Sequence, residues 1–123
     1  MRKIVSAVLN TTGLELVRPR TIHIDSRIGE PFSMEVHVKR DDNTVPSLVN
    51  ATLRYRLYDQ RGLKLYETTA TGTNSASQGV VTLSIDLPTS LSPKAYSWDV
   101  WCSIGDDRYQ IIPTSVWRVT SVY

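Results

Sequence analysis

Residues that could support catalysis are few in this chain and far apart. A nucleophilic triad needs a histidine that reaches both a nucleophile and an acid, and the only two histidines are His23 and His37. Both occupy polar positions of alternating segments, and His37 stands between Val36 and Val38, which directs its ring towards solvent. We therefore expect no enzyme activity and no catalytic residues.

No residue spacing is typical of a metal or cofactor site. Tetrahedral metal sites take three or four His, Cys or carboxylate ligands, and Cys102 is the single cysteine. Asp41-Asp42-Asn43 lacks the alternating acids and final glutamate of a calcium loop, so it favours a hairpin turn. Gly105-Asp106-Asp107 likewise favours a tight turn. We expect no cofactor and no metal, and we expect Cys102 in the core.

Charge and hydropathy argue against nucleic acid and membrane partners. The formal net charge is only +2, and the basic residues are dispersed instead of forming the stripe typical of nucleic-acid-binding proteins. No segment approaches the roughly 20 apolar residues of a membrane span. The apolar stretch that ends at Leu9 is interrupted by Ser6 and is shorter than the core of a signal peptide.

Outward-facing aromatic and basic residues are the candidates for binding. Trp101 lies on the opposite face of its strand from Trp98, and a large exposed ring often marks a protein interface. The ring could equally be covered by its own chain or stack on a sugar. Arg54, Arg56 and Tyr58 share the outward side of another strand and form a second candidate patch, for which an ordinary solvated surface is the alternative.

Period-two alternation, which is typical of strands, dominates the chain. It covers residues 22–25, 32–39, 51–58, 63–66, 81–87, 96–104, 109–112 and 114–122. Turn residues separate these segments at the spacing of about 8–12 residues that sandwiches show. The sequence predicts a single all-β domain over residues 1–123, an antiparallel immunoglobulin-like β-sandwich of about seven to nine strands. The polar stretch 68–78 is expected to be a surface loop outside the core.

Residues 1–20 carry apolar side chains that need burial. They include Ile4, Val8, Leu14 and Leu16. We predict an N-terminal arm or strand here, which could be exchanged with a neighbouring subunit, and we count these four residues as a candidate interface.

Four stretches carry a resemblance to a known family. Gly29–Val36 joins a Gly-acid pair to an alternating strand, and Asn50–Leu57 opens the next strand with Ala-Thr-Leu-Arg. Gly79–Leu87 is a strand followed by Pro88, and Ala95–Val100 contains Tyr-Ser-Trp-Asp-Val. This order resembles small β-sandwich modules of phage tails and baseplates, of which the N-terminal domains of phage upper baseplate proteins are an example. It extends from about residue 22 to residue 122.

The resemblance implies a bacteriophage or prophage virion structural protein of the tail, baseplate, neck or capsid. Such a protein docks with other virion proteins, often as a homo-oligomer, and is assembled in the host bacterial cytoplasm. The family has no catalytic residues to transfer. The sequence departs from the family pattern where Lys94-Ala95 stands in place of the usual glycine before the tyrosine. The alternative is a carbohydrate-binding or adhesion module in which Trp101 and Tyr109 form a stacking platform for a glycan.

Overall fold

The computed structural model describes residues 1–121. In order, the described residues form β1 (Arg2–Leu9), β2 (Ile24–Arg27), β3 (Phe32–Arg40), β4 (Thr52–Tyr58), β5 (Lys64–Thr71), a 3₁₀ helix (Asn74–Gln78), β6 (Val80–Ile85), β7 (Lys94–Ile104) and β8 (Asp107–Thr120). Within this part of the chain, no helix has the length and apolarity needed to cross a membrane.

The strands form two sheets that pack face to face. The three-stranded sheet has the order β1-β3-β6, and the five-stranded sheet has the order β2-β8-β7-β4-β5. The predicted all-β sandwich is therefore confirmed. Most pairs are antiparallel, but β1 pairs with β3 and β2 pairs with β8 in parallel. Neither parallel pair joins consecutive strands, so no hairpin turn fixes their direction.

Large aromatic side chains fill the space between the sheets. The rings of Phe32 and Trp117 meet edge to face with centroids 4.8 Å apart, and the Trp98 and Trp117 rings are 5.5 Å apart. The buried Trp117 Nε1–H donates to Ser26 Oγ at 2.8 Å, which satisfies the polar end of the indole. This bond fastens the short edge strand β2 to the centre of the core.

One of the three predicted turns differs from expectation in the strands that it connects. Asn43 has a φ of 70° and donates to the Arg40 carbonyl at 2.9 Å, so the predicted turn exists. It is not a hairpin, because β3 and β4 belong to different sheets. The turns around Gly62 and Gly105 do join antiparallel neighbours, as predicted.

The polar stretch 68–78 contributes to the core, contrary to prediction. β5 continues to Thr71, and Ala76 of the 3₁₀ helix is buried. The Leu48 amide donates to the Ala76 carbonyl at 3.0 Å. A Cβ atom on Gly72 would lie 1.8 Å from the Leu48 carbonyl oxygen. The stretch packs tightly because its residues are small.

β8 is one continuous strand although Pro113 lies within it. Two strands were predicted on either side of this proline. Val100 pairs with Ile112 and Trp98 with Ser115, so β8 has one more residue than β7 over this interval. Such a β-bulge places the proline where the ladder needs no amide donor. The predicted end of this strand at Val122 falls outside the described residues.

Candidate interaction surfaces

Three of the predicted interface residues meet on the outer face of the five-stranded sheet. Arg54 of β4 pairs directly with Trp101 of β7, and Ser103 of β7 pairs with Arg108 of β8. Together with Arg56 they line a cleft of about 160 Å³. We call this the Arg–Trp cleft. Sequence reasoning missed Arg108, because only the hairpin register brings it beside Trp101.

Two arginines of the cleft, Arg54 and Arg56, share one acid with the neighbouring Lys64. Glu67 of β5 accepts from Arg56 Nε at 2.9 Å, from Arg54 Nη1 at 3.4 Å and from Lys64 Nζ at 3.2 Å. The Arg56 hydrogen bond holds the pKa of Glu67 below its ordinary value against the effect of burial, with help from the Lys64 hydrogen bond and the charges of Lys64 and Arg54. Arg108 makes no ion pair among residues 1–121. The cleft therefore has a surplus of positive charge.

A second acid, Asp99, lies on β7 two residues before Trp101 and opposite Arg56. It pairs with Arg56 across β4 and β7 and is buried, with 6% of its surface exposed. Burial raises the pKa of its carboxyl, against hydrogen bonding from Trp101 and the charge of Arg56. Its Oδ1 has no hydrogen-bond partner within the described chain. Tyr58, predicted with the arginines, is half-buried and is not part of the cleft lining.

Tyr109 does not share a surface with Trp101. Tyr109 pairs with Cys102 and packs against the core, whereas Trp101 pairs with Gln110. Residues paired across strands project from the same face, and successive residues alternate. Trp101 and Tyr109 therefore lie on opposite faces of the sheet. The predicted glycan platform that joined them is wrong, because the Gly105 turn sets the register one residue away from what it requires.

The N-terminal candidates lie around a second surface, which we call the β1 groove. It is a space of about 650 Å³ between β1 and residues 15–22. Ile4 and Leu16 line it and are 61% and 71% exposed. Leu14 is also exposed but lies outside the lining, whereas Val8 lines the groove as a buried side chain. The predicted N-terminal strand is β1, whose own Val5 and Leu9 face the core.

The groove runs beside an open sheet edge. Within the described chain β1 pairs with β3 alone, and no backbone hydrogen bond joins β1 to residues 15–22. The outer edge of β1 therefore presents backbone donors and acceptors to the groove. Its charged lining residues are Lys3, Glu15, Arg18 and Arg20.

Asp41 holds the outer wall of the groove in place. Its Oδ1 accepts from the Thr11 amide at 3.2 Å and from the Thr12 amide at 2.9 Å, and its Oδ2 accepts from the Glu15 amide at 3.1 Å. Burial alone would raise the pKa of Asp41, but these hydrogen bonds outweigh it and hold the pKa well below its ordinary value. Sequence reasoning assigned Asp41 only to a turn, since nothing in its neighbours indicates a partner about 30 residues away.

The remaining reactive groups are held separately. His23 contacts Asp25 and His37 contacts Glu35, each through Nε2 at 3.0 Å. Cys102 is buried as predicted, and burial raises the pKa of its thiol to about 11. Residues 1–121 contain no group of three or more His, Cys, Asp or Glu side chains placed to hold a metal ion.

The chain resembles known proteins in its structure. No protein-family model matches the chain, and no curated protein matches it. Among solved structures, the chain is similar to the N-terminal domain of phage TP901-1 ORF48. The similarity has a TM-score of 0.57 and covers 98% of this chain and 98% of that one, at 10% sequence identity. At this identity the match establishes the shared fold, and it confirms at that level the resemblance to phage baseplate N-terminal domains.

Proposed function

We propose that the chain is a bacteriophage or prophage virion structural protein that acts by docking and has no enzymatic role. The observation that carries this proposal is the near-complete match in fold to the N-terminal domain of phage TP901-1 ORF48, over 98% of both chains. Because both chains are covered from end to end, the shared unit is the whole fold rather than a common β-hairpin. The same likeness supports our proposal of a tail or baseplate position in a particle assembled in the host cytoplasm.

Self-association through the β1 groove is the mechanism we propose for this role, with a second copy of the chain as the occupant. An open strand edge is a template for another strand. Two β1 strands related by a two-fold axis would pair antiparallel, and each would place the same residues against the other. The exposed Ile4 of one copy would then be covered near Leu16 of the other.

Charge in the groove does not drive a two-fold contact. Lys3, Arg18 and Arg20 line it with a single acid, Glu15, which lies 3.7 Å from Arg18, so each copy brings a net positive charge to the contact. Exposed charges of this kind are screened by salt and change the affinity little. Burial of the two exposed apolar side chains supplies the attraction, at about 25 cal/mol per Å² of apolar surface covered.

Deletion of the gene from its phage or prophage tests the virion role. We expect the lysate to contain incomplete or non-infectious particles, and we expect the intact gene supplied from a plasmid to restore infectious ones. Particles of normal composition and titre without the gene would contradict the proposal. Restoration by a plasmid whose gene carries an early stop codon would show that the protein itself is not required.

A further inference from the structure

We propose that the Arg–Trp cleft binds an acidic side chain from a segment of a partner protein. The carboxylate would lie between Arg54 and Arg108, beside the edge of the Trp101 ring, which carries the positive part of the ring quadrupole. This surface is on the outer face of the five-stranded sheet, whereas the β1 groove follows the edge of the three-stranded sheet. Binding at the cleft is therefore separate from self-association through the β1 groove, and either one can be disproved while the other holds.

The strand register supplies the geometry. Arg54 is on β4, Trp101 on β7 and Arg108 on β8, and β7 is the central strand of the three. Strands in a sheet are about 4.8 Å apart, and residues rise about 3.4 Å along a strand. Arg108 pairs with Ser103, two residues along β7 from Trp101, so the two arginine backbones are roughly 12 Å apart, on either side of the indole. Two guanidinium groups on long side chains span that interval, and each can donate two parallel hydrogen bonds to a carboxylate.

The charge balance shows which donors remain available. Glu67 is shared by Arg54, Arg56 and Lys64, and its Arg54 contact is the longest of the three at 3.4 Å. Asp99 lies opposite Arg56 in the register of β4 and β7 and feels its charge, but it forms no ion pair among the described residues. Arg108 has no acidic partner among the described residues. Arg54 and Arg108 are therefore the groups whose hydrogen-bonding capacity an added anion would use.

The size and composition of the cleft favour an anchor side chain over a complete small molecule. Sites for small molecules usually enclose about 300–1,000 Å³, whereas this cleft is about 160 Å³. That volume holds one functional group, with the rest of the ligand lying on the surrounding sheet. Arginine and tryptophan are the residue types that dominate the energetics of protein interfaces.

Nuclear magnetic resonance of the tryptophan side chains tests the inference with hexaglutamate as the probe. The chain has three tryptophans. The indoles of Trp98 and Trp117 are fully buried and donate hydrogen bonds inside the protein. Only the Trp101 signal, assigned with Trp101→Phe, should move on titration. Hexaglutamine is the uncharged control peptide, and a galacturonate hexamer presents the same carboxylates on a sugar.

We expect hexaglutamate to shift the Trp101 signal saturably and hexaglutamine to leave it unchanged. Arg108→Gln should weaken hexaglutamate binding by roughly tenfold, because one charge-assisted bidentate contact is lost. Arg61→Gln removes the same charge from the exposed β4–β5 turn and should change the affinity by less than about twofold. Unshifted Trp98 and Trp117 signals in both variants verify that they fold.

Three results would overturn the inference. A Trp101 signal that does not move with hexaglutamate would show that the cleft does not bind a carboxylate. Equal weakening by Arg108→Gln and Arg61→Gln would show attraction to the overall charge instead of to the cleft. Binding of the galacturonate hexamer at least about tenfold tighter than hexaglutamate would assign the cleft to an anionic glycan.

Discussion

Asp41 Oδ1 accepts hydrogen bonds from both the backbone amide and the hydroxyl of Thr12, at 2.9 and 2.8 Å. These bonds connect the end of β3 to the loop after β1, across 29 residues of sequence. Because the Glu15 amide donates to the other oxygen of the same carboxylate, one side chain fixes the start of the wall that covers the β1 groove.

Asp41→Asn should loosen the wall of the groove and lower the melting temperature. An amide has a single oxygen with which to accept, so at least one donor in the loop loses its partner. Amide hydrogen exchange should become faster at residues 11–17 and remain unchanged in β7. Asp106→Asn, in the exposed β7–β8 turn, is the matched control. Equal exchange rates in the two variants would show that Asp41 does not hold the loop.

Asp41 should also make the free energy of unfolding depend on pH in the acid range. Its pKa in the folded chain lies below the ordinary value of 3.8, so its stabilising effect is fully present above that value and is lost as the pH falls below it. The difference in free energy of unfolding between the native chain and Asp41→Asn should therefore be constant above about pH 5 and shrink below about pH 4. A difference that grows on acidification would reverse this assignment.

Ile4→Glu should shift the chain from oligomer to monomer. The substitution places a carboxylate where the proposed two-fold contact covers an apolar side chain, and uncompensated burial of a charge is strongly unfavourable. Light scattering after size-exclusion chromatography measures the mass directly. Leu63→Glu is the matched control, because Leu63 is 63% exposed and Ile4 is 61% exposed. A native chain that is monomeric at high concentration would refute self-association.

Trp98→Ala should cost about 3–5 kcal/mol of unfolding free energy, as expected for removal of a fully buried aromatic side chain. Trp98 is 0% exposed, and its Nε1 donates to the Ile22 and Val116 carbonyls at 3.2 Å. Trp101→Ala should cost much less, because its ring lies on the half-buried outer face. Urea denaturation followed by circular dichroism compares the two variants. Similar losses would mean that Trp101 is a core residue.

Cys102 should be unreactive in the folded protein. Only the thiolate attacks disulfide reagents, and the thiol is buried with a pKa of about 11. We expect Ellman's reagent at pH 8 to modify the chain only after denaturant is added. Modification of the native chain at the rate of a free thiol would show that β7 opens.

The strands could be predicted because alternation is a local property. The segment from Phe32 to Lys39 alternates without interruption, and β3 occupies Phe32–Arg40. The β4–β5 hairpin could also be predicted, because aspartate and glycine are typical turn residues. In the structure Asp59 accepts from the Arg61 and Leu63 amides, and Gly62 adopts a positive φ. In both cases the residue types favour the same local backbone conformation that the fold needs.

The surfaces could be predicted only in part, because they depend on register and topology. Arg54 and Trp101 were each identified as facing outward, yet their direct pairing follows from β4 lying beside β7. The prediction placed Tyr109 on the same face as Trp101 and was wrong, because a shift of one residue in the strand register moves a side chain to the opposite face of the sheet. The β1 groove needed the parallel pairing of β1 with β3, which no periodicity records.

Quantitative mass spectrometry of purified phage particles tests the virion role most directly. Particles banded by density and treated with protease to remove adhering proteins should retain the chain, in several copies and in a fixed ratio to the other structural proteins. That ratio should be the same in independent preparations. Absence of the chain from infectious particles that contain every other structural protein would contradict the account.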